Sequence, residues 1–147
     1  MQTAIVWMIF KYSIAAGLDP YLAISIAKME STFNHKAVGR VGEIGVFQIR
    51  PEFVEETSKQ LFDPKTNIKR GIKLLKYAQR RCKYKKNKQF VICYNRGISG
   101  GNRIKNPHKV KYYLKLLKTY AQVKKETGKH LQKYNNISRK IAFVGRR

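Results

Sequence analysis

Apolar residues recur at helical spacing along most of the chain. Ile5, Ile9, Tyr12 or Ser13, and Ala16 form one stripe, which predicts a helix over about residues 3–16, closed by Gly17. Asp19-Pro20 predicts the start of a second helix, with Asp at the N-cap and Pro at the first helical position. One face of that helix carries Leu22, Ile26 and Met29, with Ala23, Ala27 and Glu30 beside them. Residues 34–48 are glycine-rich and keep no period, so they predict a loop or small irregular hairpin. Pro51 predicts another helix, with Glu52, Glu55 and Glu56 in its first turns, where the helix dipole favours anions.

Asp63-Pro64 breaks the chain again, and a clear amphipathic pattern runs from about Asn67 to Cys82 through Ile68, Ile72, Leu75 and Ala78 or Gln79. "KYKKNK" predicts a basic connector, "QFVICYN" a short buried helix ended by Gly97, and "GISGGNRIKN" a loop. Asn106-Pro107 predicts the start of a long last helix with Val110, Tyr113 or Leu114, Leu117 and Ala121 inward. The pattern is that of a mostly α single domain over residues 1–127, irregular between its second and third helices, followed by a basic tail over residues 128–147.

Composition changes this picture in one respect. The 147 residues are 43% hydrophobic, enough for a core, but 32 Lys and Arg stand against 8 Asp and Glu, a formal charge of +24. The charge is uneven. Residues 1–64 hold 6 basic and 7 acidic residues, whereas residues 65–147 hold 26 basic and 1 acidic. Such a surface attracts polyanions: nucleic acid, teichoic acid, lipopolysaccharide or anionic lipid. The N-terminal apolar run is short and lacks a basic leader and a small-x-small cleavage site, so it reads as part of the fold. Cys82 and Cys93, eleven residues apart, would either face each other as a disulfide or sit as two buried apolar thiols. They and the scattered His35, His108 and His130 lack metal-ligand spacing, so no metal or other cofactor is implied.

The chemistry centres on Glu30. At the end of an apolar helix its carboxyl would be partly desolvated, which disfavours the charged form and raises its pKa. The negative end of the helix dipole pushes the same way. A carboxyl held protonated near neutral pH can give a proton to a leaving oxygen. The alternative is a surface glutamate paired with Lys28 or Arg40.

The surrounding segment, "ESTFNHKAVGRVGEIGVFQIRP", resembles the soluble lytic transglycosylase family, which has a goose-lysozyme-like catalytic domain. The resemblance rests on Glu30-Ser31, Phe33, Gly42, Gly45, Gln48, Ile49 and Pro51. "FDPKTNIKRGIKLL" is similar to the family's Asp-Pro…Asn-Ile-x-x-Gly helix start, in Asp63, Pro64, Asn67, Ile68 and Gly71. "CYNRG" is similar to its Tyr-Asn-Ala-Gly element, and Pro107–Leu117 to its closing helix, with Tyr112 at the aromatic place. The matches run in order from about residue 5 to residue 120.

The resemblance implies a lysozyme-like fold and cleavage of peptidoglycan between N-acetylmuramic acid and N-acetylglucosamine. Glu30 would be the sole general acid and base, and a 1,6-anhydro sugar the product. By the same resemblance, Gln48 would hydrogen-bond the sugar, Tyr94 would point its hydroxyl at the carboxyl or the N-acetyl group, and Ser31, Gly45 and Asn95 would hold the backbone. Read without the family, Gln48 could cap a turn and Tyr94 could be core.

Five positions depart from the family pattern. Phe47 stands where methionine is common, and a sugar could stack on either. Gly39 replaces a frequent serine, Arg50 an apolar residue, and Arg96 a small one. Glu43 adds a second carboxyl. At roughly 6–10 Å from Glu30 it could activate water and make the enzyme a hydrolase, a muramidase on the same fold.

A non-enzymatic basic module for nucleic acid is the third reading, but the chain lacks a recognisable helix-turn-helix, zinc finger or RNA-binding element, so no specific nucleic acid is expected. The expected partners are peptidoglycan strands, with anionic envelope polymers or lipids on the basic half, and a monomer is expected. Action at the cell wall without an evident signal peptide suits a bacteriophage lysin or virion-associated enzyme, delivered by the particle or released at lysis.

Overall fold

Helix ends follow local chemistry in a computed structural model of the chain, which describes the backbone over residues 3–144 and side chains over residues 3–130. Helix α1 spans Thr3–Ala16. Gly17 turns the chain at φ 68°, and the Leu18 N–H donates to the Ser13 carbonyl at 2.9 Å. Helix α2, Pro20–Ser31, opens on Asp19, whose carboxylate accepts the Tyr21 N–H at 2.9 Å. Helix α3, Ser58–Leu61, opens on a capping box between Thr57 and Gln60. Helix α4, Pro64–Arg81, opens on Asp63, which accepts the Thr66 N–H at 2.9 Å. Helices α5 (Val91–Arg96), α6 (Ile98–Asn102) and α7 (Lys111–Val144) complete the order.

The fold is mostly helical, as expected, and lacks strands among the described residues. The segment between α2 and Pro51 is irregular and carries two isolated β-bridges, Val38–Ile44 and Ile44–Ile49. Helix α2 lies at the centre, with α1 and α7 both packed on it. Leu22, Ala23, Ile24, Ser25, Ile26 and Ala27 are therefore all buried, the signature of a helix enclosed on every side. Helix α4 packs on α1 and α5 through Ile68, Ile72, Leu75 and Ala78, the predicted stripe.

Four expectations are corrected. Pro51 opens only one turn of 3-10 helix, Pro51–Phe53, because Val54 is extended and Thr57 starts a new helix. Its acidic residues are drawn to separate arginines: Glu52 pairs with Arg50 at 2.6 Å and Glu56 with Arg70 at 2.7 Å. The expected loop after Gly97 contains α6. The last helix starts at Lys111, after a 3-10 turn at Pro107–Lys109, and its buried face is only partly the one expected. Val110, Tyr113, Leu116 and Val123 are buried, while Leu114, Leu117 and Ala121 face outward. Helix α7 runs without a break across the 127/128 boundary expected from composition, and the side chains of residues 131–147 lie outside those described. No helix among the described residues is long and apolar enough to cross a membrane.

Of the two readings of the cysteines, the structure shows the disulfide. Cys82 and Cys93 are joined with their Cα atoms 5.8 Å apart, tying the end of α4 to α5. Closing a loop of 11 residues stabilises the fold by about 3 kcal/mol on the chain-entropy relation. Replacing both cysteines by serine should therefore lower the unfolding free energy by about 2–4 kcal/mol in urea titrations. A variant that unfolds at the wild-type urea concentration would show that the bond adds no stability.

Candidate active site

Glu30 is the penultimate residue of α2, the enclosed helix, and its carboxyl reaches the floor of an open groove of about 580 Å³. A groove of this size is within the usual range for ligand sites. Burial pushes the carboxyl above its ordinary pKa. The hydrogen bond from Tyr112 and the charge of Lys115 pull it down, while the negative charge of Glu43 pushes it further up. The Tyr112 hydroxyl donates to Glu30 Oε1 at 2.8 Å. Burial and the charge of Glu30 raise the phenols of Tyr112 and Tyr94 well above their ordinary range, so both stay protonated. Tyr112 is therefore a fixed donor to the carboxyl.

The chain leaves α2 through two residues in the left-handed region, Thr32 at φ 51° and Phe33 at φ 64°. Each costs about 1–2 kcal/mol for an L-residue. The turn buries the Phe33 ring and sends the backbone under the groove. The Ser31 hydroxyl donates to the Val46 carbonyl at 2.8 Å and so fastens the end of α2 to the irregular segment.

That segment is organised by one buried amide. Asn67, in the first turns of α4, accepts the Phe47 N–H at 2.8 Å and donates to the carbonyls of Ile44 at 2.8 Å and Leu61 at 2.9 Å. Gly45, at φ 76°, lets the backbone lie against this amide; a Cβ there would sit 2.4 Å from Asn67 Nδ2. Gln48 is also left-handed, at φ 48°, and lines the groove. Its Nε2 donates to the carbonyls of Gly45 at 2.9 Å and Ala37 at 3.3 Å. The turn-capping reading of Gln48 thus holds for its amide nitrogen.

Glu43 lines the same groove. Its Oε2 accepts the Val41 N–H at 3.1 Å. A Cβ on Gly39 would lie 2.1 Å from that oxygen, so the missing side chain at position 39 makes room for the Glu43 carboxylate. Two departures from the family pattern are thereby one structural feature.

Three expected contacts are placed differently. The Phe47 ring is buried, 1% exposed, and packs toward Gly71, so it offers no face to a sugar. Tyr94 is half-buried and lines the groove, and its hydroxyl donates to the Phe47 carbonyl at 3.2 Å rather than to Glu30. Ser31 holds the backbone as expected, whereas Asn95, expected in the same role, lines the groove.

Residues not singled out from the sequence also border the groove. These are Phe53, Val54, Leu74 and Tyr77, and Arg96, one of the departures from the family pattern, lines it with them. Their approach depends on how α4 and α5 pack, and no local pattern signals it. Among the described residues no group of three or more acids, histidines or cysteines could hold a metal.

A buried, protonatable carboxyl at the end of a central helix, under an irregular bridged segment and beside an open groove, defines a lysozyme-like site. A family profile, the transglycosylase SLT domain, matches residues 7–116, and the chain belongs to that family. Among solved structures, an inactive mutant of the lytic transglycosylase Slt from Pseudomonas aeruginosa shares the fold, with TM-score 0.67 and 16% identity over 82% of this chain. The chain spans 24% of that structure's length.

Two outcomes follow from the electrostatics. The folded-state pKa of Glu30 is raised, so its contribution to stability is full below the ordinary carboxyl pKa and is lost as pH rises through the folded value. Glu30→Gln should be more stable than wild type at neutral pH, with the gain disappearing by about pH 4 in thermal melts. A gain independent of pH would contradict the raised pKa. Tyr112→Phe removes a hydrogen bond that lowers the Glu30 pKa. Its alkaline limb in a pH–rate profile should move to higher pH, and an unmoved limb would show that the bond does not tune the acid.

Proposed function

We propose that the protein is a peptidoglycan lytic transglycosylase that cleaves the β-1,4 bond between N-acetylmuramic acid and N-acetylglucosamine, with Glu30 as acid and then base. The observation that carries this reading is the burial of the Glu30 carboxyl at the groove floor, with Tyr112 donating to it, in a chain of the SLT family.

With its pKa raised by burial, Glu30 gives its proton to the glycosidic oxygen as the bond breaks. The substrate's own N-acetyl group stabilises the positive sugar carbon, so a second protein carboxylate is not required. Glu30, now ionised, keeps the Tyr112 hydrogen bond and faces the charge of Lys115, both of which favour the anion. It then takes the proton from the C6 hydroxyl, which attacks the anomeric carbon and closes the 1,6-anhydro ring. The proton is returned within one turnover. Gln48 and Asn95 offer amide groups to the sugar from the groove lining.

Glu43 supports a second reading. It lines the groove and its charge reaches Glu30, so it stands where a base could activate water and yield a reducing end. The basic half of the chain, with 26 of the 32 cations, would hold the enzyme on anionic envelope polymers and speed encounter at low salt. A phage-delivered lysin is a setting that its charge suits.

Digestion of purified peptidoglycan followed by mass spectrometry tests these readings together. Anhydro ends, lighter by one water than reducing ends, are expected. Reducing ends would select the hydrolase, and no release would remove both. Glu30→Gln is expected to lose at least ~100-fold in rate, the lower range for general acid catalysis, while staying folded.

A further inference from the structure

The two walls of the groove differ in chemistry. Near Glu30 the lining is polar: Glu43, Gln48 and Asn95 supply carboxylate and amide groups suited to sugar hydroxyls. The wall built by residues 50–54 and α4 is instead apolar and aromatic. Phe53 is 71% exposed and Tyr77 45% exposed, both unusually open for large rings, and Val54 and Leu74 fill the space beside them. The Arg50 guanidinium lies 4.7 Å from the Phe53 ring centre and is ion-paired to Glu52 at 2.6 Å, which props the ring in place.

Facing the same groove from the end of α5 is Arg96. It is exposed and makes no ion pair among the described residues. An uncompensated guanidinium lining the same groove as exposed aromatic and aliphatic surface fits a ligand with aliphatic side chains and a free carboxylate. A neutral sugar ring has neither. The muramic residues of peptidoglycan have both, because their lactyl groups carry short peptides ending in free carboxylates.

We propose that this half of the groove is a subsite for the acidic peptide branch of the glycan, with Arg96 pairing a peptide carboxylate and Phe53 and Tyr77 covering its aliphatic groups. The inference rests on the lytic transglycosylase reading and adds to it a requirement for the branch. Arg96 is then a determinant of substrate choice and takes no part in proton transfer.

The test compares two substrates at physiological ionic strength: soluble glycan strands with intact peptides, and the same strands with every carboxylate converted to a methylamide. Wild type should lose about tenfold in kcat/KM on the amidated strands, through KM, the lower end for a charge-assisted hydrogen bond. Arg96→Gln should show the same loss on intact strands with kcat unchanged, and no further loss on amidated ones. Arg96→Lys should recover part of the loss, since it keeps the charge without the fork. Equal cleavage of both substrates by wild type would overturn this inference and leave the parent reading standing. So would an amidation effect that persists in Arg96→Gln, because it would then come from the basic surface at large. Cleavage of neither substrate by wild type would refute the parent reading and this inference with it.

Discussion

Taking a carboxyl out of water at the end of an enclosed helix is the constraint around which the molecule is arranged. Leu22 to Ala27 are buried on every face, so α2 has no solvent side, and Glu30 emerges only where the helix ends. There the carboxyl meets low dielectric, the negative end of its own helix and the charge of Glu43, all of which favour the neutral form. Tyr112 and Lys115, both on α7, oppose them. A group poised between two such sets of neighbours can hold a proton in one step and release it in the next. Helix α7 packs on α2 and so carries the groups that stabilise the ion to the acid that α2 presents.

The rest of the site is backbone held under tension. Three of the residues in the left-handed region, Thr32, Phe33 and Gln48, border the path from Glu30 into the groove. Strain of this kind persists only where other contacts over-determine it. Asn67 supplies several, with two hydrogen bonds from one buried amide into the irregular segment and a third to Leu61 of α3. The Ser31 to Val46 bond fastens that segment to the catalytic helix. The disulfide fixes α5 against α4, immediately before Tyr94 and Asn95.

Features written in local chemistry were legible in the sequence. Asp19-Pro20 and Asp63-Pro64 mark helix starts because a side-chain carboxylate and a missing N–H act within one turn. Glu30 was legible because its apolar helix and the ordered motifs after it point to one place. Features decided by packing were not. Leu114 and Leu117 are as apolar as Tyr113 and Leu116, and only the position of α2 selects which stripe of α7 turns inward. The Pro51 helix stops after one turn because Thr57 and Gln60 cap a competing one. The cysteine spacing allowed a bond without requiring it. Tyr94 was placed in the right element, yet its hydroxyl goes to the Phe47 carbonyl, a detail set by how α5 packs against the irregular segment. Gly39 and Glu43 looked like separate departures until their side-chain space was seen to overlap.

The central claim is that burial holds the Glu30 carboxyl above the ordinary glutamate pKa. Carbon-13 labelling of the glutamate side chains, with the Glu30 resonance assigned by its absence in Glu30→Gln, allows this carboxyl to be titrated directly by NMR. The account predicts a midpoint clearly above the ordinary glutamate value of about 4.3. A midpoint at or below that value would contradict it, since the carboxyl would then have no proton to give.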